Sequence, residues 1–537
     1  MWVGINYFGS YGGIVPSSSF TSNAVYDPYL VMCDLLRIKE IGFNAIAVQV
    51  SPWADAAEVM AGNNQNMIQV IAMARELGLY VDIYVPFVGE MSKFTSIVEA
   101  LHLREFDNVV AYDIVWEGAI GTYASLTNEQ KSKRDAAWIA WVKAQYGSVA
   151  AAELSFGTSC PQTADFDALL SKANASEAEA RLAAAYRRFM DDTVSAEYAA
   201  YAARIRAVDP NHLISFRCCD AGLPSAVNAQ NYYYDFSGFC GALDFVSPEG
   251  YGFTSYQYNA SAYEGAFAEA YARLVCGDTT TVWKEFGWTC YSGSNYAPLE
   301  NNMNYAAQIY EKVYDAILMG TGGGSYGWWY TGGLRTDEGS DYGVVNPDGS
   351  DRPATATVRA YLAQLTEVKA VGTADVVFTV DRDRYADGLR GIWNEIKDEF
   401  IAALSAGKSV ALTSAGSEMS VKEAVLIALD GSDNPTAPRK YLNCVISYAA
   451  DAGGKEIAMG GKSATETVTL TVANTGYTPW SEGDVTLCDA SGNVLATLPA
   501  LSQGERAEIT LTLPTGGATI RASAGGVAFG NSFSIGK

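Results

Sequence analysis

Val109-Val110-Ala111-Tyr112-Asp113-Ile114-Val115-Trp116-Glu117-Gly118 reads as an apolar strand that ends on a carboxylate beside a tryptophan. Thr281-Val282-Trp283-Lys284-Glu285-Phe286-Gly287-Trp288 repeats the arrangement further along. Working outward from these two, short apolar runs alternate with helical patterns through residues 1–370. That alternation indicates a parallel sheet with helical crossovers. The strand candidates are 3–8, 45–50, 80–85, 109–115, 213–217, 245–247, 281–285 and 324–329. Helical patterns lie at 28–41, 66–77, 91–101, 263–275 and 304–318. Eight strand–helix repeats in a chain segment of this length predict a (β/α)8 barrel.

The unit after the fourth strand is oversized. It holds helical segments at 129–145 and from Ser176 to 207, the second opened by the capping box Ser176-Glu177-Ala178-Glu179 and stopped by Asp209-Pro210. Insertions on that side of a barrel shape the substrate cleft. Beyond the barrel, residues 371–455 read as a small α/β domain, with strands at 376–380 and 409–413 and helices at 387–404 and near 421–429. Residues 456–537 read as a β-sandwich of immunoglobulin-like size, with strands at 466–472, 484–488, 494–498, 507–513 and 519–524.

The 537 residues exceed what one hydrophobic core holds, so several domains are expected. Sixty acidic against 36 basic residues give a net charge of −24, which repels phosphate backbones and anionic membranes. Nucleic acid and membrane are therefore excluded as expected partners, and no apolar run is long enough to span a bilayer. The 33 Tyr and 11 Trp suit the stacking of sugar faces as well as ordinary core packing. Nine Cys without a CxxC pair predict buried free thiols. The adjacent Cys218 and Cys219 would point to opposite faces of a strand. The strand pattern begins at once, with no secretory leader ahead of it, which leaves the compartment open.

Only two histidines occur, His102 and His212. No HExxH metal site can be formed. The GxSxG match at 323–327 has no histidine downstream, as a serine hydrolase of that type needs. The GxGxxG match at 322–327 leads into Trp328-Trp329-Tyr330 and not into a helix, so it is no dinucleotide fingerprint. What remains is the pair of strand-end glutamates, Glu117 and Glu285. Working residues of such barrels sit at C-terminal strand ends, and glycoside cleavage needs two carboxyls, one protonated and one ionised. Aromatic neighbours supply desolvation that moves a pKa. Structural ion pairing is the plainer alternative for both. Glu249, in Glu249-Gly250-Tyr251-Gly252, is a rival carboxylate.

A glutamate ending strand four and another ending strand seven resembles the clan A glycoside hydrolases, which are (β/α)8 TIM barrels. The segment Trp138-Ile139-Ala140-Trp141-Val142-Lys143-Ala144-Gln145-Tyr146-Gly147-Ser148, with Phe156-Gly157-Thr158 after it, is similar to the segment following the acid/base of family 42 β-galactosidases. Asp341-Tyr342-Gly343-Val344-Val345-Asn346-Pro347-Asp348-Gly349-Ser350, with Arg352-Pro353, is similar to that clan's exit from strand eight. The small α/β domain and the β-sandwich are similar to family 42 architecture, whose α/β domain mediates trimers.

The resemblance implies a retaining β-glycosidase with Glu117 as acid/base and Glu285 as nucleophile. An exo-acting β-galactosidase-like enzyme comes first, an endo-acting β-mannanase or β-glucanase second, and an inactive carbohydrate-binding barrel third. It implies Tyr251 as hydrogen-bond partner of the nucleophile. One of Trp328 and Trp329 would floor the sugar site, while the other packs outward. Two departures stand out. Trp116 occupies the place of the clan's asparagine, and Gln49 stands near the place of its strand-two arginine, for which Arg217 is the candidate substitute. Asn6, Tyr7 and Trp53 are expected as rim contacts. No metal or organic cofactor is expected. The expected partners are an oligo- or polysaccharide and copies of the same chain, a trimer favoured. Glu117 is expected to hold its proton above the range of a free glutamate while Glu285 is ionised.

Overall fold

The structure is a computed structural model that describes residues 1–9, 20, 26–50, 55–86, 90–117, 122–218, 242–251, 258–276, 281–291, 299–319, 323–335, 339–367, 374–414, 444–458, 460–474, 479–502 and 505–537. Seven strands form one parallel sheet: β1 (Trp2–Asn6), β2 (Ala45–Gln49), β3 (Tyr80–Tyr84), β4 (Val109–Trp116), β5 (Leu213–Cys218), β6 (Phe245–Pro248) and β7 (Gly324–Gly327). Their spatial order is β6-β5-β4-β3-β2-β1-β7. The stave 281–285 stands between the two edges, with Thr281 paired to Val246, Glu285 to Glu249 and Trp283 to Ser325. The seventh expected strand is thus a set of isolated parallel bridges, and it closes the barrel.

Side chains alternate between the barrel axis and the helical layer. The inward set at the closed end is apolar: Trp2, Ala45, Ala47, Ala111, Leu213, Phe245, Val282 and Tyr326 pack together. The outward set meets helices such as α1 (Pro28–Ile41), which buries Val31, Leu35 and Ile38 at helical spacing. Asp27 caps α1 by accepting the amide hydrogens of Tyr29 and Leu30. Gly42 ends it at φ 114°, where only glycine is unstrained.

The insertion after β4 folds on its own core. Helices α2 (Asn128–Tyr146) and α3 (Glu177–Val208) both start with capping boxes, Thr127 with Gln130 and Ser176 with Glu179. Trp138, fully buried, is ringed by Phe166, Tyr186 and Phe189 at centroid distances of 5.1, 5.8 and 5.6 Å. The sequence pattern does not reveal the helix Pro353–Glu367, which follows the Arg352-Pro353 exit.

After the barrel, β8 (Val376–Val380) and β9 (Val410–Ser414) pair in parallel, linked through α4 (Leu389–Ser405). The helix expected near 421–429 lies outside the described residues. β10 (Cys444–Asp451), which the sequence reading assigns to the small α/β domain, pairs antiparallel with β11 (Thr467–Asn474) and so belongs to the sandwich. β11 also pairs β14 (Arg506–Thr512). The facing sheet runs β13 (Val494–Thr497), β12 (Thr486–Cys488), β15 (Gly517–Ala524), β16 (Val527–Gly536). Arg188 of α3 ion-pairs both Asp383 and Glu456, and Tyr448 of β10 donates to Gln145 of α2, so insertion, small unit and sandwich meet at one place. Of the described cysteines, Cys160, Cys290, Cys444 and Cys488 are buried free thiols and Cys33 is half-buried. No helix among the described residues is long and apolar enough to cross a membrane.

Candidate active site

Glu117, Glu249 and Glu285 converge at the C-terminal mouth of the barrel. One carboxylate oxygen from each lies within 4.8 Å of the other two. Glu117 follows β4 directly, at φ 49°, an uncommon conformation for a residue with a side chain. It is exposed, whereas Glu249 and Glu285 are buried. Gly250 carries the chain between Glu249 and Tyr251. A Cβ there would stand 2.4 Å from the Trp283 ring, so only glycine allows this close passage.

Arg217, ending the inward row of β5, donates from Nη1 to Glu285 Oε1 at 2.6 Å. Its guanidinium lies 3.7 Å from the centroid of the Trp116 ring. Tyr251 donates its hydroxyl to Glu285 Oε2 at 3.4 Å, as the resemblance implied. Burial pushes the Glu285 carboxyl up to about 8; Arg217 pulls it down, Glu117 adds to the rise, and Tyr251 opposes it. Glu285 is the buried partner of the pair and Glu117 the exposed one. Burial works against the charge of Arg217, yet Asp113, Glu285, Glu249 and Asp82 around it hold its proton more firmly than usual. The three glutamates are the described residues whose oxygens could surround a cation. At Glu285 that positive charge is already supplied by Arg217.

An aromatic arc lines the mouth. Tyr84 meets Trp116 at 5.5 Å, Trp116 meets Trp328 at 5.9 Å, and Trp328 meets Phe8 at 5.1 Å and Trp329 at 5.4 Å. Trp329 meets Tyr342 at 5.6 Å, and Tyr342 meets Tyr251 at 6.2 Å. Both tryptophans thus belong to the site cluster, and the expectation that one packs outward against helices is corrected. The Trp328–Trp329 peptide is cis. Phe8 and Tyr342 escaped the sequence reading, although Tyr342 stands inside the Asp341-Tyr342-Gly343 motif that it quotes.

Two expected rim contacts are corrected. Asn6 is buried on the axis, donating to the carbonyls of Lys284 and Gly327 and facing Arg217 with Oδ1 at 3.3 and 3.4 Å. Tyr7, its neighbour on the alternating strand, points outward. It donates to Asp34 on α1 at 3.0 Å and packs between Phe20 and Tyr330. Gln49 ends the inward row of β2, and its buried Oε1 has no hydrogen-bond partner among the described residues. Trp53 lies outside the described residues.

The family model for β-galactosidases, glycoside hydrolase family 42, matches residues 97–365. Among solved structures, a β-galactosidase from the Antarctic haloarchaeon Halorubrum lacusprofundi superposes with a TM-score of 0.53 at 13% identity, over 78% of this chain and 68% of that one. A β-galactosidase from the psychrophilic Marinomonas ef1 gives 0.48 at 13% identity, over 78% and 70%. A GH5_18 protein from Streptomyces cattleya, solved with GlcNAc, gives 0.47 at 14%, over 77% and 93%. At such identity the first likeness speaks for the fold alone, and the other two carry no argument. No curated protein sequence matches the chain. The family match spans half of the chain, from before β4 to the helix after β7, and takes in all three converging glutamates; the chain belongs to glycoside hydrolase family 42, the β-galactosidase family, and is a β-glycosidase.

Proposed function

We propose that the enzyme is a retaining, exo-acting, β-galactosidase-like β-glycosidase that works by double displacement. The observation that carries this reading is the approach of the carboxylate oxygens to within 4.8 Å. Retaining pairs stand about 5–5.5 Å apart, while inverting pairs need about 6.5–9.5 Å to admit a water. Protonated Glu117 gives its proton to the leaving oxygen as Glu285 attacks the anomeric carbon; the glycosidic bond breaks and a glycosyl ester forms. Water then attacks that carbon, loses a proton to Glu117 and releases Glu285.

Burial and mutual repulsion retain a proton among the glutamates at neutral pH. The hydrogen bonds from Arg217 and Tyr251 pull toward the ionised form of Glu285, the state of the cluster from which attack begins with the shared proton on Glu117. Trp116, Trp328, Gln49 and Tyr251 are proposed sugar contacts, Trp329 supports Trp328, and Asn6 acts through Arg217. Assembly as a homo-oligomer, first of all a trimer, is part of the proposal and rests on the small unit after the barrel.

The test is azide rescue of two alanine variants on one activated aryl β-galactoside, with product configuration read by NMR. Glu285→Ala should give the inverted glycosyl azide and Glu117→Ala the retained one. Swapped configurations would reverse the two roles. Near-normal activity of both variants without azide would move the chemistry elsewhere, with Glu249 first in line.

A further inference from the structure

Below the glutamates the barrel axis carries charges that the double displacement does not use. Lys284, fully buried, directly precedes Glu285, and the break in strand alternation at this irregular stave turns both side chains toward the axis. Lys284 ion-pairs Asp82 of β3 and lies 3.3 Å from Asp113 Oδ2 of β4. The same Asp113 oxygen faces Arg217 Nη2 at 3.3 Å, while Ser215 donates to its other oxygen. Arg217 then reaches Glu285 at 2.6 Å. From the closed end to the mouth the order is Asp82, Lys284, Asp113, Arg217, Glu285, alternating in sign at every step.

Barrels of this type fill their axis with apolar side chains, and the layer beneath is apolar here too. A buried ion network is a poor choice for stability alone, because apolar side chains of similar volume do as well or better. The column instead fixes one guanidinium. Asp113 holds Nη2, Asn6 Oδ1 faces both terminal nitrogens, and Trp116 covers the plane. Nη1 is thereby aimed at Glu285. Lys284 shares the Asp113 oxygen and so keeps that carboxylate from drawing Arg217 down.

We propose that Asp82, Lys284 and Asp113 are positioning residues which, through Arg217, set the aim and the ionisation of Glu285. The inference rests on Glu285 being the nucleophile. Among the described residues, the other groups facing this column are Glu117, Glu249 and Tyr251 at the mouth, the hydroxyl of Tyr84 near Asp113 and Arg217, and the rings of Phe245 and Tyr326 beside Lys284.

The experiment is the pH profile of kcat/KM on an aryl β-galactoside for the wild type, Lys284→Met, Asp113→Asn and the double variant. The alkaline limb reports loss of the last proton from the glutamate cluster. Losing the positive Lys284 should move this limb upward and losing the negative Asp113 should move it downward, each by roughly half to one pH unit, with the double variant returning near the wild type. Mere loosening of the barrel would lower activity at every pH without opposite shifts, and that result overturns the proposal. Should Lys284→Met fail to fold, Asp113→Asn decides alone, since Asn keeps the shape and the Ser215 contact: an unmoved or raised limb refutes the column. Azide rescue of Glu285→Ala separates the two readings, because it fails if Glu285 is not the nucleophile and succeeds if only the column is idle.

Discussion

Arg217→Met isolates the contribution of the one cation among the described residues that ion-pairs the proposed nucleophile. In the native site Nη1 stands 2.6 Å from Glu285 Oε1, and both residues are buried. With charge centres about 4 Å apart and an effective dielectric near 20, the lost attraction is about 4 kcal/mol, equivalent to about 3 pKa units. Glu285, pushed up to about 8 by burial even against the pull of Arg217, would then hold its proton more firmly still. The ionised fraction at pH 7 should fall by about 10²–10³, and kcat/KM with it. Because ionisation and not binding is lost, the rate should recover partly as pH rises toward 10. Arg217→Lys keeps the charge without the planar fork and should lie between the two. The assay is kcat/KM on p-nitrophenyl β-galactoside between pH 6 and 10, with circular dichroism to establish that each variant is folded. A loss under tenfold at pH 7 with an unmoved profile would refute the assignment of Arg217 as the partner that keeps Glu285 charged.

Three further outcomes are expected. Burial raises Asp82 to about 6, Glu456 to about 7 and Glu285 to about 8, so the folded state binds more protons than the unfolded chain. Stability from these groups is full below about pH 4, their unfolded range, and drains as pH rises through 6 to 8; scanning calorimetry that shows Tm rising from pH 5 to 8 would contradict this. Trp138→Ala empties the centre of the insertion's core and should cost about 3–5 kcal/mol there, read as faster proteolysis of 122–208. Light scattering at micromolar concentration should show an oligomer, a trimer in first place, and a monomer alone would refute that assembly.

The barrel was legible because apolar runs and capping signals repeat with little ambiguity: α1 has the expected bounds, and both boundaries of α3 follow from Ser176 and Asp209. Glu117 and Glu285 were legible because each ends an apolar run beside an aromatic. The rest depended on which way single side chains face. Asn6 ends β1 and Tyr7 follows it directly, so alternation alone says that one of them must leave the site, without saying which. Alternation fails at Lys284 and Glu285, because the stave 281–285 is held by isolated bridges and not by a continuous ladder. Lys284 was the overlooked signal: an ammonium inside an apolar strand needs a buried counter-ion, and Asp82 and Asp113 supply it. β10 went unread, and so did β16, although Gly525-Gly526, both at positive φ, form the two-residue turn that folds it back onto β15. Gly250 is a clearance beside Trp283, which no local sequence pattern reveals.

The Arg188 contact gives the C-terminal sandwich a mechanical part in the enzyme. One guanidinium on α3 is clamped between Asp383 of the small unit and Glu456 of the sandwich, and Tyr448 seizes Gln145 of α2 alongside it. The two helices gripped in this way belong to the insertion that follows β4. Cutting the chain ahead of β10 would therefore not free a self-sufficient barrel. It would release this grip, expose one face of the insertion to water and leave the segment that follows β4 less firmly held.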